Sequence, residues 1–206
     1  MKHFALAALA LLLPATAHPS DLDALVAKVV GAYGGSAAWA KVTSIDAHGR
    51  VVPAMRKGDG AMTRVWRGSG DLRVEIVYPD KTETRILENG KGTNNGRASN
   101  AMELDAMRLQ ALRIALPRLL TDKRATLRES APNTIEIALD GLTVVAEVDP
   151  ATGRIVRSTG RSGEMAFATN YSDFRTVNGL LIPFHEENNA MGMKTADIFL
   201  DKVEIK

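Results

Sequence analysis

Four histidines, no cysteine and a scatter of carboxylates are the chemical vocabulary of this 206-residue chain. Asp46-Ala-His48 sets an oxygen and a nitrogen donor on one face of an extended segment, since side chains two apart share a face. His185-Glu186-Glu187 gathers further donors at a strand end. Zinc takes three or four converging ligands, and nothing in the spacing brings these two groups together. No metal and no cofactor is expected. His18 would add an imidazole to a free amino group only at a processed terminus, where fraying is the ordinary state. Asp149, Asp173 and Asp201 are the carboxylates that could pair for hydrolysis. Their settings, a turn, a strand end and a terminal strand, suit solvated structural roles better. The chain lacks a G-x-S-x-G elbow, a P-loop and a Rossmann fingerprint. Gly58-Asp-Gly60 and Gly90-Lys-Gly92 read as hairpin or loop glycines. No catalytic residue is assigned, and the chain is read as a non-enzyme.

Composition narrows the class further. The formal charge is +2, or about +1 once Lys2 is removed, and Arg67, Arg73, Arg85 and Arg97 are dispersed without a basic block. Few aromatics accompany them, so nucleic acid is not an expected partner. Hydrophobic residues make up 45% of the chain, which suits a packed core. Without cysteine, that core must carry stability with no disulfide.

Residues 1–17 read as a cleaved signal peptide. Met1-Lys2-His3 is basic, Phe4 to Leu13 is apolar, Pro14 breaks the run, and Ala15-Thr16-Ala17 offers small residues to a peptidase. The apolar run is far shorter than the roughly 20 residues a spanning helix needs. Residues 18–206 are expected to form one domain in a bacterial-type periplasm. No cysteine follows the cleavage point, so no lipidation signal is present.

The elements that must position any site follow from periodicity. Leu22, Leu25, Val26, Val29 and Val30 repeat at helix spacing over residues 21–32, and Gly34-Gly35 ends that helix. Residues 44–55, 61–67, 72–78 and 83–88 alternate as strands, separated by Gly, Asp and Pro turns. Residues 90–100, rich in Gly and Asn, read as a polar loop. Residues 101–123 form the main helical stretch, ended or kinked at Pro117. Its apolar positions cover far more than the roughly 100° a simple sheet cover requires; Gln110, Arg113 and Pro117 mark its polar arc. Hairpin strands return from residue 125 to the C-terminus. Asn178-Gly179, between two strand-like runs, favours a tight turn, and Pro183 demands an edge or a bulge. So many strands in one small domain must curl or close. The expected fold is α+β, a strongly curved antiparallel sheet of about eleven strands with helices on its concave face.

This punctuation resembles the outer-membrane lipoprotein-sorting family, the LolA/LolB-like periplasmic carriers. The residues that carry the likeness are Ala32-Tyr-Gly-Gly35 with Trp39 and Gly49, then Asn89-Gly90 before the helix. Leu142-Thr-Val-Val-Ala-Glu-Val-Asp-Pro-Ala-Thr-Gly153 and the 171–184 hairpin ending in Ile182-Pro183 complete it. The resemblance implies an incomplete barrel of eleven strands, lidded by helices over an apolar cavity. It also implies non-covalent carriage or sensing of lipid or acyl chains. No residue matches a contact to a membrane transporter or a receptor.

The expected lining is the apolar face of residues 72–78, namely Leu72, Val74, Ile76 and Tyr78, with Met62 and Trp66 beside it. Leu104, Met107, Leu112 and Leu116 would face them from the helix. A filled core is the competing reading of the same residues. The expected partners are a lipid or acyl-chain ligand, an envelope protein as a candidate, and peripheral or transient membrane contact at most, with the chain itself a monomer. The alternative function is a structural or protein-interaction module of the cell envelope that uses its curved sheet as a docking surface.

Overall fold

The computed structural model describes residues 21–206. The expected signal peptide and His18 lie outside the described residues. Two helices open the fold, α1 (Asp21–Ala32) and α2 (Ser36–Trp39). Six strands follow: β1 (Ser44–Pro53), β2 (Gly60–Arg67), β3 (Leu72–Val77), β4 (Thr82–Glu88), β5 (Lys91–Asn94) and β6 (Arg97–Ala98). Helices α3 (Ala101–Ile114) and α4 (Leu116–Leu119) interrupt them. The second series is β7 (Thr126–Ala131), β8 (Thr134–Leu139), β9 (Leu142–Val148), β10 (Ile155–Ser162), β11 (Met165–Val177), β12 (Leu180–Ala190) and β13 (Met193–Ile205).

All thirteen strands form one antiparallel sheet in the order β6-β5-β4-β3-β2-β1-β13-β12-β11-β10-β9-β8-β7. Each half is a meander, and the two are joined where β1 pairs with β13. Chain-adjacent strands pair because tight turns force them to. Asn89-Gly90, Asn95-Gly96, Asp140-Gly141, Asn178-Gly179 and Met191-Gly192 all place both residues at positive φ. That is the two-residue geometry whose twist matches flanking strands.

Two expectations need correction. Residues 90–100 are not a loop: β5 pairs with β4, and Thr93 and Asn94 pair with Ala98 and Arg97. The glycines and asparagines there are two successive hairpin turns packed close together, which takes the count to thirteen strands rather than about eleven. Over residues 101–123 the expected interruption is present but lies earlier than Pro117. The break falls at Ala115, before Pro117, and Pro117 sits in the first turn of α4. A proline is accommodated there because its missing N–H would have no helical partner anyway. Pro183 behaves as its chemistry requires. β12 pairs with β13 only from His185 onward, so Pro183 has a ladder on the β11 side alone.

The packing of α3 reveals the curvature. The helix touches β4 and β5 on one side and β9 and β10 on the other. β4 and β10 stand seven places apart in the sheet, which would be about 34 Å if it were flat. A helix about 10–12 Å across, side chains included, meets both only if the sheet curls around it. The curl stays open, since β6 and β7 are the unpaired ends of the order. The core follows the inner pleats: Val74 and Ile76, Ile135 and Ile137, Val144 and Ala146, Leu180 and Ile182 are all buried.

Candidate ligand-binding site

Helix α3 begins at a capping box. Asn100 Oδ1 accepts from the Glu103 N–H and a Glu103 carboxylate oxygen accepts from the Asn100 N–H, both at 2.9 Å. Such caps satisfy the donors that a helix start leaves open. Glu103 also binds Arg97 of β6 at 2.5 Å, and Arg108 donates to the Asp140 carbonyl at 2.7 Å. The helix is therefore tied to both margins of the sheet. From Glu103 to Ile114 none of its residues is exposed. This explains its apolarity: it is surrounded, not laid on a surface.

Two spaces lie inside the curl. The wider, of about 410 Å³, is lined by Met62, Val74, Ile76 and Tyr78 with Arg85, Asn94 and Asn188 from the sheet, and by Glu103, Met107, Gln110 and Arg113 from α3. The tighter, about 60 Å³, is bounded by Tyr33, Trp39, Ile45, Leu116 and Ile182, with Arg64, Thr169, Tyr171 and Glu186 supplying polar atoms. Gln110, Arg113 and Asn188 line both. A cleft of about 340 Å³ runs along the other side of the helix past Trp66, Leu112 and Leu119.

The expected lining residues distribute as follows. Met62, Val74, Ile76, Tyr78 and Met107 surround the widest space, Leu116 the tight one, and Trp66 and Leu112 the cleft. Leu72 is core at 2% exposure, and Leu104 packs against the core. Sequence reasoning missed the polar members. Arg64 and Glu186 are separated by 122 residues and form a bidentate pair at 2.7 and 2.8 Å. Both are buried. Burial works against the Arg64 charge, but Glu186 outweighs it and leaves the guanidinium above its ordinary range. Tyr171 bonds Ser158 through its hydroxyl at 2.7 Å, and burial pushes that phenol upward. Arg113 differs from these. Although it is half-buried, its charge is disfavoured, chiefly by desolvation, and among the described residues its side chain makes no hydrogen bond and no ion pair.

The carboxylates and histidines considered from sequence are otherwise engaged. Asp46 pairs with Lys206 at 2.8 Å, and His48 faces Thr63 at 3.4 Å. Asp149 accepts from Ala151 N–H and the Thr152 hydroxyl within its own turn. Asp173 pairs with Arg175, and Asp201 is exposed. Among the described residues no three His, Asp or Glu converge as a metal site.

Three residues from neighbouring strands, Ser172, His185 and Asp197, form a row. His185 Nδ1 meets the Ser172 hydroxyl at 2.8 Å, and its Nε2 meets Asp197 at 2.9 Å. The ring also stacks on Phe199 with centroids 4.5 Å apart. A hydrolytic triad needs the opposite orientation, with Nε2 toward serine, and a pocket with oxyanion donors. None of the three residues lines the spaces described above. Lys194 further engages Asp197 at 2.7 Å, so the row works as a cross-strand tie.

The architecture has known counterparts. The chain aligns with a LolA superfamily protein from Nitrosomonas europaea at a TM-score of 0.55 and 10% identity, covering 90% of this chain and 93% of that one. A DUF1329 family protein from Desulfovibrio piger gives 0.50 at 9% identity, with 90% and 93% covered. The sequence matches no family model and no curated protein. What is shared is the fold, an open curled antiparallel sheet with helices in its concavity, and the chain is LolA-like in that sense. No helix among the described residues is long and apolar enough to cross a membrane.

Proposed function

We propose that the protein is a non-catalytic carrier or binding protein for a lipid, a lipoprotein acyl chain or a comparable apolar ligand. The ligand enters between α3 and the concave face of the sheet. The observation that carries this reading is the space of about 410 Å³ walled by Met62, Val74, Ile76 and Met107. Small-ligand sites are concave, mostly apolar and about 300–1,000 Å³ in volume. Each buried methylene contributes about 0.8 kcal/mol, so six of them supply about 5 kcal/mol. Two flexible thioethers in the wall suit a chain without fixed shape. The fold shared with a LolA superfamily protein supports the same class of ligand. In this reading residues 18–206 act as one unit in the periplasm after removal of 1–17, as a monomer that touches membranes or an envelope partner only transiently.

Native mass spectrometry of the mature chain, purified from membranes, tests the proposal. Co-purified mass in the range of a lipid or fatty acid, displaced by a neutral hydrophobic dye, is expected. Consistently empty protein that binds no dye would overturn it.

A further inference from the structure

Arg113 is the charge that the fold leaves unanswered. It faces the junction of the two spaces, together with Gln110 and Asn188. The charged and titratable groups that act on it are Tyr171, Glu186 and Arg64. Arg64 and Glu186 are consumed by each other in two short parallel bonds. The Tyr171 hydroxyl is held by Ser158. The group therefore gathers two guanidinium ions, one buried and one half-buried, around one carboxylate, one positive charge in excess. An arginine cannot shed its proton to relieve this.

The neighbouring amides are unspent in the same direction. The Gln110 side chain makes no hydrogen bond among the described residues. Asn188 accepts from the Thr169 hydroxyl at 2.7 Å through its carbonyl oxygen, while its NH₂ has no partner among them. A guanidinium fork and two amides thus line the passage shared by the two spaces. Such a fork matches a carboxylate or a phosphate bidentately.

Resting on the reading that the space takes an apolar chain, we propose that the ligand is an amphiphile with a single anionic head, a carboxylate or a phosphate. The head pairs with Arg113, assisted by Gln110 and Asn188. The chain extends past Met107, Met62 and Ile76 toward Tyr78. Arg113 is a selectivity element: it separates acidic amphiphiles from neutral lipids of the same length.

Dye displacement on the mature chain tests this with three sixteen-carbon probes, palmitate, hexadecyl phosphate and the uncharged hexadecanol. The wild-type protein should bind at least one anion about tenfold or more tightly than hexadecanol. Whichever anion it prefers names the head. Arg113→Met should erase that preference by weakening the binding of the anions, and Arg113→Lys should restore part of it. Circular dichroism melts establish that the variants are folded. Equal affinity of the wild type for hexadecanol and both anions would overturn the proposal and leave the apolar site standing. So would an undiminished preference in Arg113→Met. Failure to bind any of the probes or the dye would instead remove the underlying reading, and this inference with it.

Discussion

Glu186→Gln is the most informative single change to the fold. In the native protein its two oxygens take both nitrogens of Arg64 at 2.7 and 2.8 Å, with side-chain exposures of 11% and 6%. The amide keeps the volume but removes the charge. It leaves Arg64 as an uncompensated buried guanidinium with the half-buried Arg113 charge nearby. Breaking a buried pair from one side costs about 3–5 kcal/mol. For a domain of this size each kcal/mol moves Tm by about 2–4 °C, so a fall of about 6–20 °C is expected. Urea denaturation with an unchanged slope would show that the loss is one of stability. The companion variant Arg64→Met/Glu186→Leu removes both charges and should recover most of the loss, since a buried ion pair is often matched by apolar residues of similar volume. Adding Arg113→Met to Glu186→Gln should also recover part of it, because it lowers the excess positive charge. A loss below about 1 kcal/mol in Glu186→Gln would refute the reasoning, because it would mean that water reaches the pair.

Other outcomes follow from the same geometry. Met107→Trp should fill the widest space, weakening dye binding about tenfold or more while shifting Tm by no more than about 5 °C; full affinity would place the ligand elsewhere. Gly49→Ala should destabilise by about 2–3 kcal/mol or more, since its Cβ would overlap the Phe199 carbonyl where β1 crosses β13; a neutral melt would show that the strands slide apart freely. The pH response is set by carboxylates such as Asp46 and Asp197. Burial raises both, but Lys206 outweighs it at the first, and Lys194 with His185 at the second, leaving each below its ordinary value. A depressed folded pKa gives stability that is fully present above the unfolded value of about 3.9 and lost as pH falls through the folded one. The urea midpoint should therefore drop below about pH 4, and a midpoint constant to pH 3 would contradict the assignment.

What could be read from sequence was what is local. Asn178-Gly179 and Asp140-Gly141 are turns because of their own φ requirements, and strands on either side inherit their register. Asn95-Gly96 obeys the same rule, but the polar residues around it are too dense for a strand pattern and conceal two short strands. Volume is not local. Val74 and Ile76 alternate identically whether they face a filled core or a cavity, and only the placement of α3 decides. Nor is charge pairing local, as Arg64 and Glu186 carry no mutual signal across 122 residues. Arg113 was visible as part of a polar arc. Its meaning depended on which way that arc faced.

The direction of that arc links the fold to the ligand. An ordinary amphipathic helix turns its polar stripe to water, but α3 is enclosed, so Gln110 and Arg113 must look inward. They do so over the strands that the Arg64–Glu186 pair draws together, β2 and β12, which stand three places apart in the sheet. The pair thus helps to set the curl, and the curl sets the distance between the sheet and Arg113. Meanwhile α3 bridges the two free margins, gripping Arg97 near one and the Asp140 turn near the other. An apolar chain can then be admitted by loosening those two grips without unzipping a strand ladder, whereas closing the barrel with a fourteenth strand would forbid it. Loss of the Arg97–Glu103 and Arg108–Asp140 contacts, through Arg97→Ala and Arg108→Ala together, should accelerate ligand exchange more than it lowers stability. An exposed ion pair such as Arg97–Glu103 contributes only about 0–1 kcal/mol, and a hydrogen bond such as that from Arg108 to the Asp140 carbonyl about 0.5–1.5 kcal/mol. Stopped-flow dye exchange that stays at the wild-type rate in this double variant would mean that the helix is not the gate.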